Sequence, residues 1–522
     1  MAEEGFHPGH NPWAIALVVT LATFMEVLDT SIANVALQHI AGSLSAGQDE
    51  STWVLTSYLV SNAIVLPISG YLATRFGRKR FYMASVGLFT VSSLLCGLAP
   101  NLPLLILFRV LQGIGGGGLA PSEQSILADT FPPAKRGMAF AIYGMAVVLA
   151  PAMGPTLGGW ITDHYSWRWV FFINIPVGVI SIVLSHRMIK DPPWLATERK
   201  KLGPVDLGGF ALVAIGLGAL EIVLDKGQRE DWFASTYITV FAVLAAVCLV
   251  TFVFYELRRK NPIVDVRLVM NRNFGPACLM MLVVGATLFG TTVLLPQFVQ
   301  TRLGYTATLA GMALSPGGIL IMVMMPFIGR LIAKVDGRKM IAFGFLCLAV
   351  SLLYTANHFD MTMSFGVVTK LRMYQAAGLA FLFVPISTVA YVGIPASKYN
   401  NASGLINLAR NLGGDIGIAV ITTMLARRTQ IHQTDLSAHT GAASHTLTAR
   451  LEGLTGVIMQ AGHSHYEASK RATAVIAREL YAQAETLAYV DVLWLFAVVS
   501  GVMVPLAFLM RRQVAGAAPA AH

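Results

Sequence analysis

The sequence predicts an all-α membrane protein, two bundles of six transmembrane helices with two further helices inserted between them. Three observations predict it. Of 522 residues, 55% are hydrophobic and only 12% are charged, and the mean hydropathy is +0.64. A soluble chain carries roughly 25% charged residues, because its surface meets water. Long apolar runs recur along the whole length, and two short motifs of the first half return in order in the second.

The spans follow from the solvent. A hydrocarbon core about 30 Å thick takes ~20 mostly apolar residues of helix. Backbone groups in lipid must be bonded within their own segment, so such runs read as helices. The chain starts polar and acidic, and its first apolar run outlasts a secretory signal, so it reads as a retained span. Six runs fall near 13–37, 52–74, 81–99, 101–128, 136–161 and 168–189. Two more lie near 206–225 and 233–256. Six follow near 274–301, 306–333, 339–357, 363–392, 399–426 and 489–510, which makes fourteen. Cys96, Cys248, Cys278 and Cys347 all fall inside these runs, which predicts four free thiols and no disulfide framework.

The net charge of +10 is a matter of topology. Of the 37 basic residues, 23 lie on one side, from Arg75, Arg78, Lys79 and Arg80 through Lys260 and Arg338 to Arg511 and Arg512. Short loops on the other side carry four: Arg168, Lys226, Arg229 and Arg302. The basic side is the cytoplasmic one, which puts both termini in the cytoplasm and argues against a nucleic-acid partner.

The organisation predicted is a first six-helix bundle over 1–190, an inserted pair over 191–260, spans nine to thirteen over 261–426, a polar outer segment over 427–488, and a last span with a cytoplasmic tail over 489–522. Gly77, Arg78 and Lys79 recur as Gly337, Arg338 and Lys339, and Arg109 and Gln112 recur as Arg372 and Gln375. Each pair holds the same place in its block. Parallel six-helix repeats imply two bundles related by an axis along the membrane normal, with a site between them.

Several motifs now become legible. Gly70, Leu72, Arg75, Gly77, Arg78 and Lys79 form a basic turn after the second span. Arg109, Gln112, Gly113 and Gly115 lie on the fourth span, and Gly154, Pro155, Gly158 and Gly159 on the fifth. The first span carries the run from Leu28 through Asp29, Thr30, Ser31 and Asn34 to Leu37, and the sixth carries Phe171 to Pro176. Over essentially its whole length the chain resembles the major facilitator superfamily, and within it the fourteen-helix drug:proton antiporters. The resemblance implies a major facilitator fold. It implies a cytoplasmic gate loop (Gly70, Arg75, Gly77, Arg78 and Lys79) and an antiporter motif (Gly154, Pro155, Gly158 and Gly159). It also implies lipophilic small-molecule substrates, protons as the driving partner, no cofactor beyond the proton motive force, and residence in a bacterial inner membrane. One departure stands out: the gate loop of that family usually carries an acid where this sequence has Thr74, which leaves open how the gate is locked.

Ionisable residues within spans cost roughly 2.5–3.5 kcal/mol each at mid-helix, so those that persist are functional candidates. Glu26 and Asp29 sit three apart on the first span, nearly on one face. Two carboxylates sharing a low-dielectric face resist ionising together, which suits a proton carrier. A purely structural pairing of one carboxylate with Arg109 is equally physical. Asp29, Glu26 and Arg109 are the proton-coupling candidates; Asn34, Gln112, Glu123, Arg372, Gln375 and Asp415 are candidates for a substrate cavity. Asp415 is five residues from Arg410, out of line with it on a straight helix, and is expected to face the opposite bundle. Asp129 reads as a solvated helix-end residue, Lys370 as snorkelling to the outer interface, and Glu221 and Asp225 as peripheral or functional alike. Pro151 and Pro155, beside glycines that permit close approach, predict a kinked fifth span.

Two patterns mislead. Gly113 to Gly118 satisfies the spacing of a dinucleotide loop, but it lies inside an apolar helix without the strand such a site needs. His432, His439, His445, His463 and His465 match no compact metal site. In the outer segment, Leu447, Leu451 and Leu454, then Val475, Ile476 and Leu480, predict two amphipathic helices. Among relatives in the family this face meets a membrane-fusion adaptor leading to an outer-membrane channel; a self-packed loop is the alternative.

No nucleophile–base constellation is evident, so no catalytic residue and no metal is assigned. The expectation is proton-driven efflux of lipophilic drugs by alternating access. A dedicated exporter of one endogenous metabolite (a siderophore, fatty acid or antibiotic) remains the first alternative, and a non-transporting membrane sensor or enzyme the second.

Overall fold

The computed structural model describes residues 9–203, 206–259, 261–438 and 445–511. Lys260, His439 and Arg512, the first eight residues and the tail, all used above for charge, metal or topology, lie outside the described residues. Every regular element described is helical. The first helices are α1 (Pro12–Ser43), α2 (Trp53–Phe76), α3 (Arg78–Leu98), α4 (Leu102–Gly116) and α5 (Leu119–Thr130). Then come α6 (Pro133–His164), α7 (Asn174–Met188), α8 (Leu207–Lys226) and α9 (Thr236–Arg258). The second half holds α10 (Phe274–Thr301), α11 (Ala307–Leu331), α12 (Gly337–Asn357), α13 (Phe365–Ala390) and α14 (Tyr399–Ala438). The chain closes with α15 (His445–Gln460) and α16 (His465–Leu506).

Local chemistry sets the starts. Asn11 accepts from the Trp13 amide with Pro12 in the first turn, and Asn101 accepts from Leu104. Asp206, Thr306, Asp336 and Ser464 cap α8, α11, α12 and α16 in the same way. Each takes up one of the amides that the first helical turn leaves unpaired. α4 and α5 form one span, Leu102–Thr130, interrupted for two residues at Gly117 and Gly118. The fifth span bends by 43° between Pro133–Pro151 and Met153–His164. Pro155 has no amide to offer the Pro151 carbonyl, and Ser31 on α1 donates to that carbonyl instead, at 3.3 Å.

Among the described residues, twelve helices are long and apolar enough to cross a membrane, thirteen with the bent fifth. The fourteen read from the sequence are not all reached by that measure. The helix left over is α14, whose inner stretch carries Asn400, Asn407, Arg410, Asn411 and Asp415. Its neighbours explain how those groups are tolerated: α14 is wedged among α2, α8, α10 and α16. The opposite case is α9, where Val240, Val243, Val247, Val250 and Phe254 form an exposed apolar stripe at helical spacing. Such a stripe suits lipid contact.

α6 packs against both α1 and α11, joining first-half helices to second-half ones. Tyr82, Phe89, Phe140, Tyr143, Phe274, Phe298 and Phe383 are buried in one continuous core. All four cysteines are free. The outer segment departs from expectation. α14 runs on to Ala438, α15 is the first of the two amphipathic helices, and the second is no separate element but the outer end of α16. α15 lies along α16, and Arg302 forms an ion pair with Glu485 where α16 approaches the membrane.

Candidate functional site

The first centre joins α1, α4 and α7. Arg109 Nη1 donates to Asp29 Oδ2 at 2.6 Å and to Gln112 Oε1 at 2.8 Å. Gln112 Nε2 donates to Asp29 Oδ1 at 3.0 Å, and Asn174 Nδ2 donates to the same oxygen at 2.6 Å. Arg109 Nε reaches the Val54 carbonyl at 2.9 Å, and the guanidinium lies 4.3 Å from the Tyr58 ring centroid. Arg109 and the Asp29 side chain are both 0% exposed. A buried pair offsets its desolvation only when further hydrogen bonds satisfy the ions; here three donors converge on the carboxylate, while Arg109 Nη2 has no hydrogen-bond partner. The expected tie between Asp29 and Arg109 is present.

Glu26 does not share it. One turn away, its Oε1 accepts from Asn62 at 3.0 Å and from Tyr58 at 3.3 Å. The two carboxylates are both buried but face different partners, so the single shared face predicted from their spacing divides in two. Glu123, on α5, is 0% exposed; it accepts from the Thr23 hydroxyl, and its Oε1 has no hydrogen-bond partner. Arg410 of α14 reaches the first half. It donates to the Tyr143 hydroxyl at 3.0 Å, and Tyr143 donates to Asn407 at 3.3 Å. A cation of the second half is thus bonded to a hydroxyl of the first.

The second half repeats the first centre with one change. Arg372 Nη1 donates to Gln375 Oε1 at 2.8 Å, the separation found between Arg109 and Gln112. Its other partners are the hydroxyls of Thr291 at 3.1 Å and Thr292 at 3.3 Å.

The gate loop is held from several sides. Gly77 ends α2 at φ +94°, a conformation open to glycine and strained for other residues. Arg78 pairs with Asp129, Lys79 donates its amide to Asp191 at 2.7 Å, and Arg75 donates to the Gly203 carbonyl at 2.9 Å. Asp129 is therefore not the solvated residue expected; its side chain is 5% exposed, because Arg78 folds onto it from the start of α3. Gly70 lies against α14, where a Cβ would stand 2.6 Å from the Asn400 carbonyl oxygen. In the antiporter motif, Gly154 abuts Ser31 and Gly158 abuts Ile32, while a Cβ on Gly159 would meet nothing within 4 Å. Pro155 sits just beyond the bend.

Three further expectations are corrected. Asn34 is exposed and stands apart from the Asp29 centre, since five residues of helix carry it about 140° around from Asp29. Asp415 does not face the opposite bundle; it sits beside Glu221 on α8, a helix of the inserted pair. Glu221 is accordingly buried, not peripheral, and Asp225 bonds Thr56. Tyr58, Asn62, Tyr143, Asn174 and Asn407 were missed as site residues. The signal available was polarity in apolar context, as with Asn174 inside Phe171 to Pro176 and Asn62 inside the second span.

The model of the Major Facilitator Superfamily matches residues 19–418. The chain is 41% identical to the multidrug export protein EmrB of Haemophilus influenzae over 425 residues, 81% of this chain and 82% of that one. It is 38% identical to the multidrug export protein EmrB of Escherichia coli K12 over 483 residues, 92% of each chain. Among solved structures, the proton:xylose symporter XylE aligns with a TM-score of 0.60 at 15% identity, covering 96% of this chain and 97% of that one. At that identity the likeness is one of fold.

Proposed function

The chain belongs to the major facilitator superfamily, and on that footing we propose that it is a multidrug efflux transporter that exports lipophilic compounds in exchange for protons. The observation that carries the efflux reading is the kinship with multidrug export proteins over most of both chains. What supports the proton is the set of three buried carboxyls, Asp29, Glu26 and Glu123, the first of them paired with Arg109. Charges in lipid persist where they carry ions or substrate.

In this reading Asp29 receives the proton, with Glu26 and Arg109 adjusting its affinity. Gln112 and Glu123 lie beside that path, and Arg372 and Gln375 belong to the second-half wall of the cavity. The cytoplasmic gate closes through Gly70, Arg75, Gly77, Arg78 and Lys79, and the bent fifth helix with Gly154, Pro155, Gly158 and Gly159 is the surface on which the halves rock. Each proton moving inward gains about 2.3 kcal/mol per 100 mV, and no cofactor is needed beyond that gradient. The protein resides in a bacterial inner membrane with both termini cytoplasmic. Its outer helices, which expose Val457, Tyr466, Val475 and Tyr481, dock a periplasmic membrane-fusion adaptor that leads to an outer-membrane channel.

The test uses inverted membrane vesicles energised by respiration, with the internal pH gradient followed while dyes and lipophilic drugs are added. Compounds should dissipate the gradient with the parent protein and not with Asp29→Asn. Equal dissipation by both would move the coupling carboxyl elsewhere. No response from the parent to any compound would defeat broad efflux in favour of a dedicated metabolite.

A further inference from the structure

Both α9 and α10 are long and apolar enough to cross a membrane. The segment between them, from Arg259 to Asn273, therefore lies at a membrane surface. A groove of about 330 Å³ opens there, between this segment and the turn that joins α13 to α14.

The polar side chains on its lining, Arg267, Asn271 and Lys398, offer donors, and none of the lining side chains is acidic. Arg267 is exposed, and its Nη2 donates back to the Leu257 carbonyl at 2.7 Å and the Arg259 carbonyl at 3.1 Å. Those bonds steady the guanidinium at the end of α9, and a guanidinium has five N–H donors, more than they use. Asn271 Oδ1 accepts from the amides of Asn273 at 2.9 Å and Phe274 at 3.4 Å, which leaves its amide nitrogen to offer a ligand. Lys398 donates to Asp265 at 2.7 Å, yet its side chain stays 45% exposed, whereas Asp265 is buried and stands off the lining. The rest of the groove is apolar. Met270 is 80% exposed on its rim, with Ile394 and Pro395 on the facing turn. Two further arginines of the region, Arg258 and Arg272, are exposed as well. Cations beside exposed apolar side chains suit the depth at which lipid headgroups give way to acyl chains. Such a groove fits a ligand that is anionic at one end and apolar at the other, and the membrane itself supplies one.

We propose that this groove binds an anionic phospholipid, its phosphate held by Arg267, Asn271 and Lys398 and its glycerol and acyl carbons lying against Met270, Ile394 and Pro395. An anionic leaflet attracts basic segments close to its surface, and phosphate oxygens accept strong charge-assisted bonds from Arg and Lys. The site is separate from the buried carboxyls of the first half, and it stands whatever compound the protein exports.

The experiment is native mass spectrometry of the purified full-length protein in detergent, titrated with equal amounts of dioleoylphosphatidylglycerol and dioleoylphosphatidylcholine. The parent should retain the anionic lipid over the zwitterionic one by about ten-fold or more, as two cations at a headgroup imply. Arg267→Gln with Lys398→Gln should erase that preference. Because Arg267 also steadies the end of α9, Asn271→Asp is the second variant. Its carboxylate keeps the acceptor that Asn273 and Phe274 use, so the protein should fold as before, while the added charge repels phosphate and cuts retention of the anionic lipid as far. Arg330→Gln with Lys334→Gln removes two exposed cations that are not on the lining and should leave the preference intact, as should an excess of inorganic phosphate. A parent with no preference would overturn the proposal, and so would a folded groove variant that keeps it. Equal loss in the Arg330 and Lys334 pair would reduce the effect to general surface charge, and displacement by phosphate would mark a free-anion site; either result also overturns it.

Discussion

The side-chain amide of Asn400 donates a 3.2 Å hydrogen bond to the Thr74 hydroxyl, tying the first turn of α14 to the last turn of α2. Thr74 in turn donates to the Gly70 carbonyl at 2.9 Å. The position that is usually acidic in the resembled family's gate loop is thus occupied by a neutral hydroxyl that still reaches the second half. Its neighbours carry the charge: Arg136 donates to the Tyr399 hydroxyl at 3.0 Å, and Arg78 is spent on Asp129. A neutral bond is not weakened by salt as an exposed ion pair is.

Thr74→Val keeps the shape and removes the bond. A net hydrogen bond of about 1 kcal/mol shifts a two-state equilibrium about five-fold. Spin labels at Phe76 and Ser397 should therefore show a larger share of long distances, with these helix ends apart, at low and at high salt alike. An unchanged distance distribution would place the lock elsewhere.

How much of this was legible follows from which forces act locally. Lipid obliges each span to bond its own backbone, so α1 or α10 declares itself as an apolar run. Asp29 and Arg109 were found because charges within spans are few and must pair. α14 reads in the sequence as an apolar run near 399–426, yet its polar residues keep it below the hydropathy of the other spans. Partners set by tertiary packing left no local trace. Arg78 meets Asp129 and Asp415 meets Glu221 only because α3 lies on α5 and α8 lies on α14. Asn34 stands apart from the Asp29–Arg109 pair because helical rotation alone turns it from Asp29.

Asp29→Asn should damage stability as well as export. Arg109, Gln112 and Asn174 all donate to this carboxylate. An amide would turn a donor toward donors and leave Arg109 buried without a counter-ion. Breaking such a pair costs about 3–5 kcal/mol, so the thermal midpoint in detergent should fall by many degrees. Asp29→Asn with Arg109→Gln removes both charges and should recover most of the loss without recovering export. A single variant as stable as the parent would mean that the pair contributes little to the fold.

Glu123→Gln makes the opposite forecast. Its carboxyl has one bonded oxygen, to Thr23, and one free, with no cation in contact. Gln preserves the accepted bond and leaves no charge unpaired, so stability should change by less than about 1 kcal/mol. Drug-induced dissipation of the pH gradient should nevertheless fall about ten-fold or more if this carboxyl exchanges protons with Glu26. Parent-like dissipation would confine the coupling to α1.

Gly154 and Gly159 separate packing from motif. A Cβ on Gly154 would run into the Ser31 side chain, on the helix that also caps the freed Pro151 carbonyl; a Cβ on Gly159 would meet nothing within 4 Å. If the motif serves only to let α1 and α6 approach, Gly154→Ala should cost about 1–3 kcal/mol through overpacking, and Gly159→Ala should be neutral or slightly stabilising. Folded yield by size-exclusion chromatography and the thermal midpoint read the first effect directly. Export read in the same vesicles decides the rest. Should Gly159→Ala fold normally and still lose transport, the bent outer part of α6 must move against a surface that this conformation does not bring near it.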